Sequence, residues 1–81
     1  EHFVIDDIEY EVNADNTACS VYKYTGDSSY VTIPENVKNL PVTQIGDSAF
    51  KECVSLEILH LSDVVTKIGA RAFYGWKNIS Y

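Results

Sequence analysis

The chain has 81 residues, 46% of them hydrophobic and 22% charged, the composition of one small folded domain rather than a disordered segment. Its net charge of −6 argues against a nucleic-acid partner, which needs a basic stripe. No apolar run approaches the ~20 residues that a membrane-spanning helix requires, which argues against membrane insertion.

The charge is uneven. Glu1, Asp6, Asp7, Glu9, Glu11 and Asp15 all precede Lys23, the first Lys or Arg, and the remainder is balanced. In chain order, FVIDDIEYEV (3–12) reads as a β-hairpin turning at Asp6-Asp7. Its acids are expected along an exposed edge strand, where like charges discourage strand addition. A cation or basic-partner site is the competing reading. NADNT (13–17) is a cluster of turn formers, without the twelve-residue acidic pattern of an EF-hand. ACSVYKY (18–24) is a strand, TGDSS (25–29) a turn, and YVTIP (30–34) a short strand ended by Pro34. A chain opening on Glu1 without a basic, apolar leader fits a cytoplasmic protein or the mature product of a cleaved precursor.

A repeat follows. IGDSAF (45–50) returns as IGARAF (68–73), 23 residues later. Ile45 aligns with Ile68, Gly46 with Gly69, Ala49 with Ala72 and Phe50 with Phe73; beyond the phrase, Cys53 aligns with Trp76 and Leu56 with Ile79. Upstream, Val31-Thr32-Ile33-Pro34 aligns with Leu59-His60-Leu61-Ser62, once five extra residues around KNLPV are set aside as a surface loop. Apolar positions are kept while polar ones drift, as in units that bury their faces only by stacking. LEILHL (56–61) has the spacing of a strand with alternate residues inward. Ile45 and Ile68 close the next turn of the coil. Asp47 is placed to cap a one-turn helix from Ser48 to about Glu52, whereas Ala70 at the matching place cannot, and Gly75 would end the second helix. Phe50 and Phe73 would stack as aromatic plugs.

The phrases VTIPENVKNLPVTQIGDSAFKECVSLEILHL and VVTKIGARAFYG resemble the leucine-rich repeat of the BspA-like, or Treponema pallidum, type over residues 30–81. The segment before them resembles the capping region of such arrays. The resemblance implies an α+β repeat fold: a short right-handed solenoid of short parallel strands and one-turn helices behind an N-terminal β-hairpin cap. It forms one domain, with a cap over 1–29, a first repeat over 30–55 and a second, incomplete repeat over 56–81. The family implies a secreted or cell-surface protein of bacterial type, non-enzymatic, with a protein or glycan partner in adhesion. It supplies no shared ligand-binding motif, and no cofactor is expected.

The residues add specific candidates. If Val31, Ile33, Leu59 and Leu61 face the core, then Tyr30, Thr32, Ile58 and His60 share the outer face of neighbouring parallel strands. They form a contact patch there, or are half covered by loops. Tyr74, Trp76 and Tyr81 either close the end of the core or form an aromatic end for self-association, giving a homodimer through an open solenoid edge. In that second reading the chain is a structural capping or assembly unit. Cys19 and Cys53 are expected as free, packed thiols, with one disulfide as the alternative. They and the two histidines are too scattered for a zinc site. His60 is expected to point to solvent and His2 to sit at a frayed end. No nucleophile-elbow, zincin or phosphate-loop pattern is present, so the sequence reads as no enzyme.

Overall fold

A computed structural model describes residues 1–51, 53 and 55–73. Eight strands follow in order: β1 (His2–Ile5), β2 (Ile8–Val12), β3 (Cys19–Tyr24), β4 (Tyr30–Thr32), β5 (Asn36–Val37), β6 (Leu40–Ile45), β7 (Ile58–His60) and β8 (Lys67–Ile68). They make a six-stranded sheet ordered β1-β2-β3-β6-β5, with β8 also on β6, and a separate pair β4-β7.

The Asp6-Asp7 hairpin forms as expected. Both residues have positive φ, 52° and 66°, the conformation that a two-residue turn needs to match the twist of its strands. The register runs from Ile5 opposite Ile8 to His2 opposite Glu11. The acidic-edge expectation is not met. The edge strand at this end of the sheet is β1, which contains none of the six acids, whereas Glu9 and Glu11 lie on the inner strand β2. At NADNT the Asn13 side chain accepts hydrogen bonds from the Thr17 and Ala18 amides, at 2.9 and 3.2 Å, and folds the segment into a turn.

The 23-residue period is the second step of a physical ladder. β3, β6 and β8 run parallel, with Val21 opposite Ile45 and Ile45 opposite Ile68. Each strand hands over to a turn, and the turns stack by the same bonds at both steps. The Gly46 amide donates to Val21 O (2.8 Å) and the Gly69 amide to Ile45 O (2.7 Å). The Tyr24 amide donates to Ala49 O (2.9 Å) and the Phe50 amide to Ala72 O (2.8 Å). The rings follow: Tyr24 to Phe50 is 5.5 Å between centroids, and Phe50 to Phe73 is 5.8 Å and near-parallel. Thus Tyr24 extends the expected pair of plugs into a column of three.

Two local expectations are corrected. Among the described residues there is no helix: residues 47–51 and 70–73 are turns. Ser48 and Arg71 have φ of 59° and 56°, and a left-handed residue cannot sit in a right-handed helical run. The turn is closed instead by short bonds such as the Lys51 amide to Ser48 O, 3.1 Å. Asp47 caps the neighbouring repeat rather than its own, because its Oδ1 accepts the Ala70 amide at 2.8 Å, 23 residues on. Gly75 lies outside the described residues. Nor is the KNLPV insertion a loop. Lys38 and Asn39, with φ of 49° and 64°, form a second tight turn between β5 and β6. This hairpin brings Val37 and Val42 into the core and sets Lys38 Nζ 4.3 Å above the Phe3 ring centroid.

One apolar cluster joins the parts. Tyr10, Val21, Val42, Ile45, Phe50, Leu56 and Leu59 are essentially sealed from solvent. Ile68 takes its expected place opposite Ile45, but it is 43% exposed, since among the described residues β8 pairs on one side only.

Candidate interaction face

The pair β4-β7 is built from two three-residue strands in parallel register: Tyr30 opposite Ile58, Val31 opposite Leu59, Thr32 opposite His60. Alternation sends Val31 and Leu59 into the core. It leaves Tyr30, Thr32, Ile58 and His60 exposed on one face. Tyr30 is 54% and Ile58 40% exposed. The rings of Tyr30 and His60 approach to 5.3 Å between centroids at 37°, across the diagonal of the register, within the reach of long cross-strand side chains. The pair is pinned at both ends. The Glu57 and Ile58 amides both donate to Ser29 O (2.8 and 3.0 Å), and the Ile33 amide donates to His60 O (2.9 Å). The four side chains are therefore held on a fixed backbone, and none carries a permanent charge.

The outer side of the larger sheet holds a cluster that the sequence reading passed over. His2 is bracketed rather than frayed. Its Nδ1 is 2.7 Å from Glu9 Oε2, its Nε2 is 3.4 Å from Glu11 Oε2, and its ring meets Tyr22 edge-on at 4.4 Å. The signal was available, since a two-residue turn at Asp6-Asp7 places His2 opposite Glu11. A shallow cleft beside the stacked turns is lined by Tyr24, Asp27, Ser28, Lys51 and Cys53. The Tyr24 hydroxyl on its wall accepts the Ser28 amide at 3.1 Å.

Cys19 is buried, Cys53 half-buried, and both are free thiols. Burial pushes the pKa of each upward, so the reactive thiolate is disfavoured. Among the described residues no three His, Cys, Asp or Glu side chains group as metal ligands, and no helix is long and apolar enough to cross a membrane. Tyr74, Trp76 and Tyr81, the expected self-association residues, lie outside the described residues.

Parallel strands stacked through repeating turns, Val21 on Ile45 and Ile45 on Ile68, define a leucine-rich-repeat type of protein. The profile of the BspA type leucine rich repeat region matches residues 15–81, and the chain belongs to that family. Its fold is similar to the crystal structure of the T. pallidum Leucine Rich Repeat protein, with a TM-score of 0.87 and 27% identity over 100% of this chain. It is also similar to a leucine rich cell surface protein from Faecalibacterium prausnitzii A2-165, with a TM-score of 0.67 and 24% identity over 99% of this chain, a likeness of fold alone. The chain spans 39% and 29% of those two proteins. No curated protein sequence matches it.

Proposed function

We propose that the chain is a non-enzymatic interaction module of a secreted or cell-surface protein. It binds a protein or glycan partner in an adhesion-like role through Tyr30, Thr32, Ile58 and His60. The observation that carries this reading is the β4-β7 face: four side chains without a permanent charge, two of them with rings in contact, exposed together on a hydrogen-bonded backbone. The repeat family and the fold-mate named as a cell surface protein support the setting. The test is an array of purified glycans and purified extracellular proteins, probed with the chain and with Tyr30→Ala/His60→Ala. The double variant is expected to keep its circular dichroism spectrum and lose the captured partner. Unchanged capture by the variant would rule out this face.

A second reading, a capping or self-assembly unit that forms a homodimer, is favoured by one observation. Among the described residues β7 and β8 each pair on one side only, and Ile58 and Ile68 are exposed on them. Such open edges accept further strands, from another repeat or from another copy.

A further inference from the structure

We infer that the notch where the cap meets the first repeat binds an aspartyl segment of an acidic partner peptide, as a second site apart from the β4-β7 face.

The notch has a structural cause. Val21 lies opposite Ile45, and the Tyr24 ring lies against Phe50 at 5.5 Å. The cap thus runs from Val21 to Tyr24 in three steps, whereas the first repeat takes five from Ile45 to Phe50, as the second does from Ile68 to Phe73. β3 stays extended where the repeat swings out through Asp47 and Ser48. The mismatch leaves a cleft of about 390 Å³, lined by Tyr22, Lys23 and Tyr24 of the cap and by Asp47, Ser48 and Lys51 of the repeat. Its walls are two consecutive units of the stack.

The next step of the stack shows what fits there. Ala70 is gripped twice by the first repeat: its amide donates to Asp47 Oδ1 (2.8 Å), and its carbonyl accepts the Ser48 amide (3.1 Å). An Asp carboxylate and the N–H of the residue after it thus close on one residue of the following turn. Asp47 is the counterpart of Ala70 one coil earlier. The two turns share a backbone, with φ of 59° at Ser48 and 56° at Arg71. Both begin with a glycine amide bonded back to the preceding strand. The Asp47 amide and carbonyl therefore face the cap as those of Ala70 face the first repeat. The shortened cap offers them nothing: among the described residues neither group has a hydrogen-bond partner. A partner's Asp carboxylate and the amide that follows it supply the missing acceptor and donor.

Charge favours the same ligand. Lys23 and Lys51 place two cations on the cleft walls, and the one carboxylate there, Asp47, is engaged by Ala70. Glu9, opposite Lys23 in the register, is held by His2 at 2.7 Å. A bond from the Asp47 amide to an incoming carboxylate is charge-assisted, and so stronger than one to a neutral acceptor.

The test titrates the isotope-labelled chain with acetyl-Ala-Asp-Ser-Ala-amide, its Asn counterpart and acetate, and follows the backbone amides by NMR. A saturable downfield shift of the Asp47 amide proton is expected with the Asp peptide, at millimolar affinity. The Asn peptide should bind at least about threefold more weakly, and acetate, which has no following N–H, more weakly than the Asp peptide. Lys23→Glu should weaken the Asp peptide by at least about tenfold. Lys67→Glu, the same change of charge outside the cleft, should leave its affinity unchanged. No shift of the Asp47 amide up to about 50 mM peptide, equal affinity for acetate, or an equal loss in Lys67→Glu would overturn the inference. Tyr30→Ala/His60→Ala keeps this cleft and should bind the peptide as the unaltered chain does, so failure of this site and failure of the β4-β7 face are read separately.

Discussion

At the scale of single residues, close approach between repeats decides what is tolerated. A Cβ on Gly69 would lie 2.6 Å from the Asp47 amide nitrogen and 2.7 Å from the Gly46 carbonyl carbon, and would also collide with Asp47 Oδ1. Most of these atoms are backbone, so the strain cannot be relieved by a side-chain rotation. Gly69→Ala is expected to destabilise the fold by about 1–3 kcal/mol, as overpacking does, and a denaturant melt would measure it. Tyr10 has a different sensitivity. It is 1% exposed, and its phenol is pushed up from 10.0 to about 12, first by burial and then by the neighbouring Cys19 and Asp6 charges. The folded state therefore favours the neutral phenol. Its contribution is complete below about pH 10 and is lost as pH rises toward 12, a swing of about 2–3 kcal/mol. The raised thiols of Cys19 and Cys53 act with the same sign. Thermal melts between about pH 8 and pH 12 should show stability falling, and Tyr10→Phe should fall less steeply.

At the scale of elements, the contact between turns replaces the contact expected within one. Asp47 looks like a helix cap in sequence because it precedes a run of helix-compatible residues. The left-handed backbone at Ser48 removes the helix, and the carboxylate serves the Ala70 amide of the next turn instead. Asp47→Ala should cost about 1 kcal/mol through the lost bond, lowering the melting temperature by about 4–8 °C. Asp47→Asn, which keeps an acceptor oxygen, should lose less. The two hairpins show what local sequence reveals. Asp6-Asp7 is legible because Asp tolerates positive φ and lies between alternating runs. Lys38-Asn39 is not, because Lys is a poor marker of such a turn, and β5 has only two residues in which to show alternation.

At the scale of the whole molecule, the stack is the source of stability, since each unit buries its face only against the next. The column Tyr24, Phe50 and Phe73 runs from the first parallel strand to the last described turn. One side of β7 and β8 remains open among the described residues, and the self-assembly reading makes a definite claim there. Light scattering after size exclusion, over roughly a hundredfold range of concentration, should show a dimer at the upper end if copies pair through these edges. A monomer throughout would remove that reading and leave the outward face of β4-β7 as the site to pursue.

The sequence alone determined the period, the neighbouring strands and the inner and outer positions of β4 and β7. These depend on alternation and spacing, which survive in one dimension: Val31 and Leu59 could be matched before their partnership was seen. The side-by-side placement of Tyr30, Thr32, Ile58 and His60 was legible for the same reason, although no residue pattern specifies what binds there. Only the tertiary structure decided that Asp47 reaches across repeats, that KNLPV is a core-filling hairpin, and that Tyr24 joins the aromatic column. Each depends on which groups meet once the coils stack, and that is fixed by the packing of distant segments rather than by neighbours along the chain.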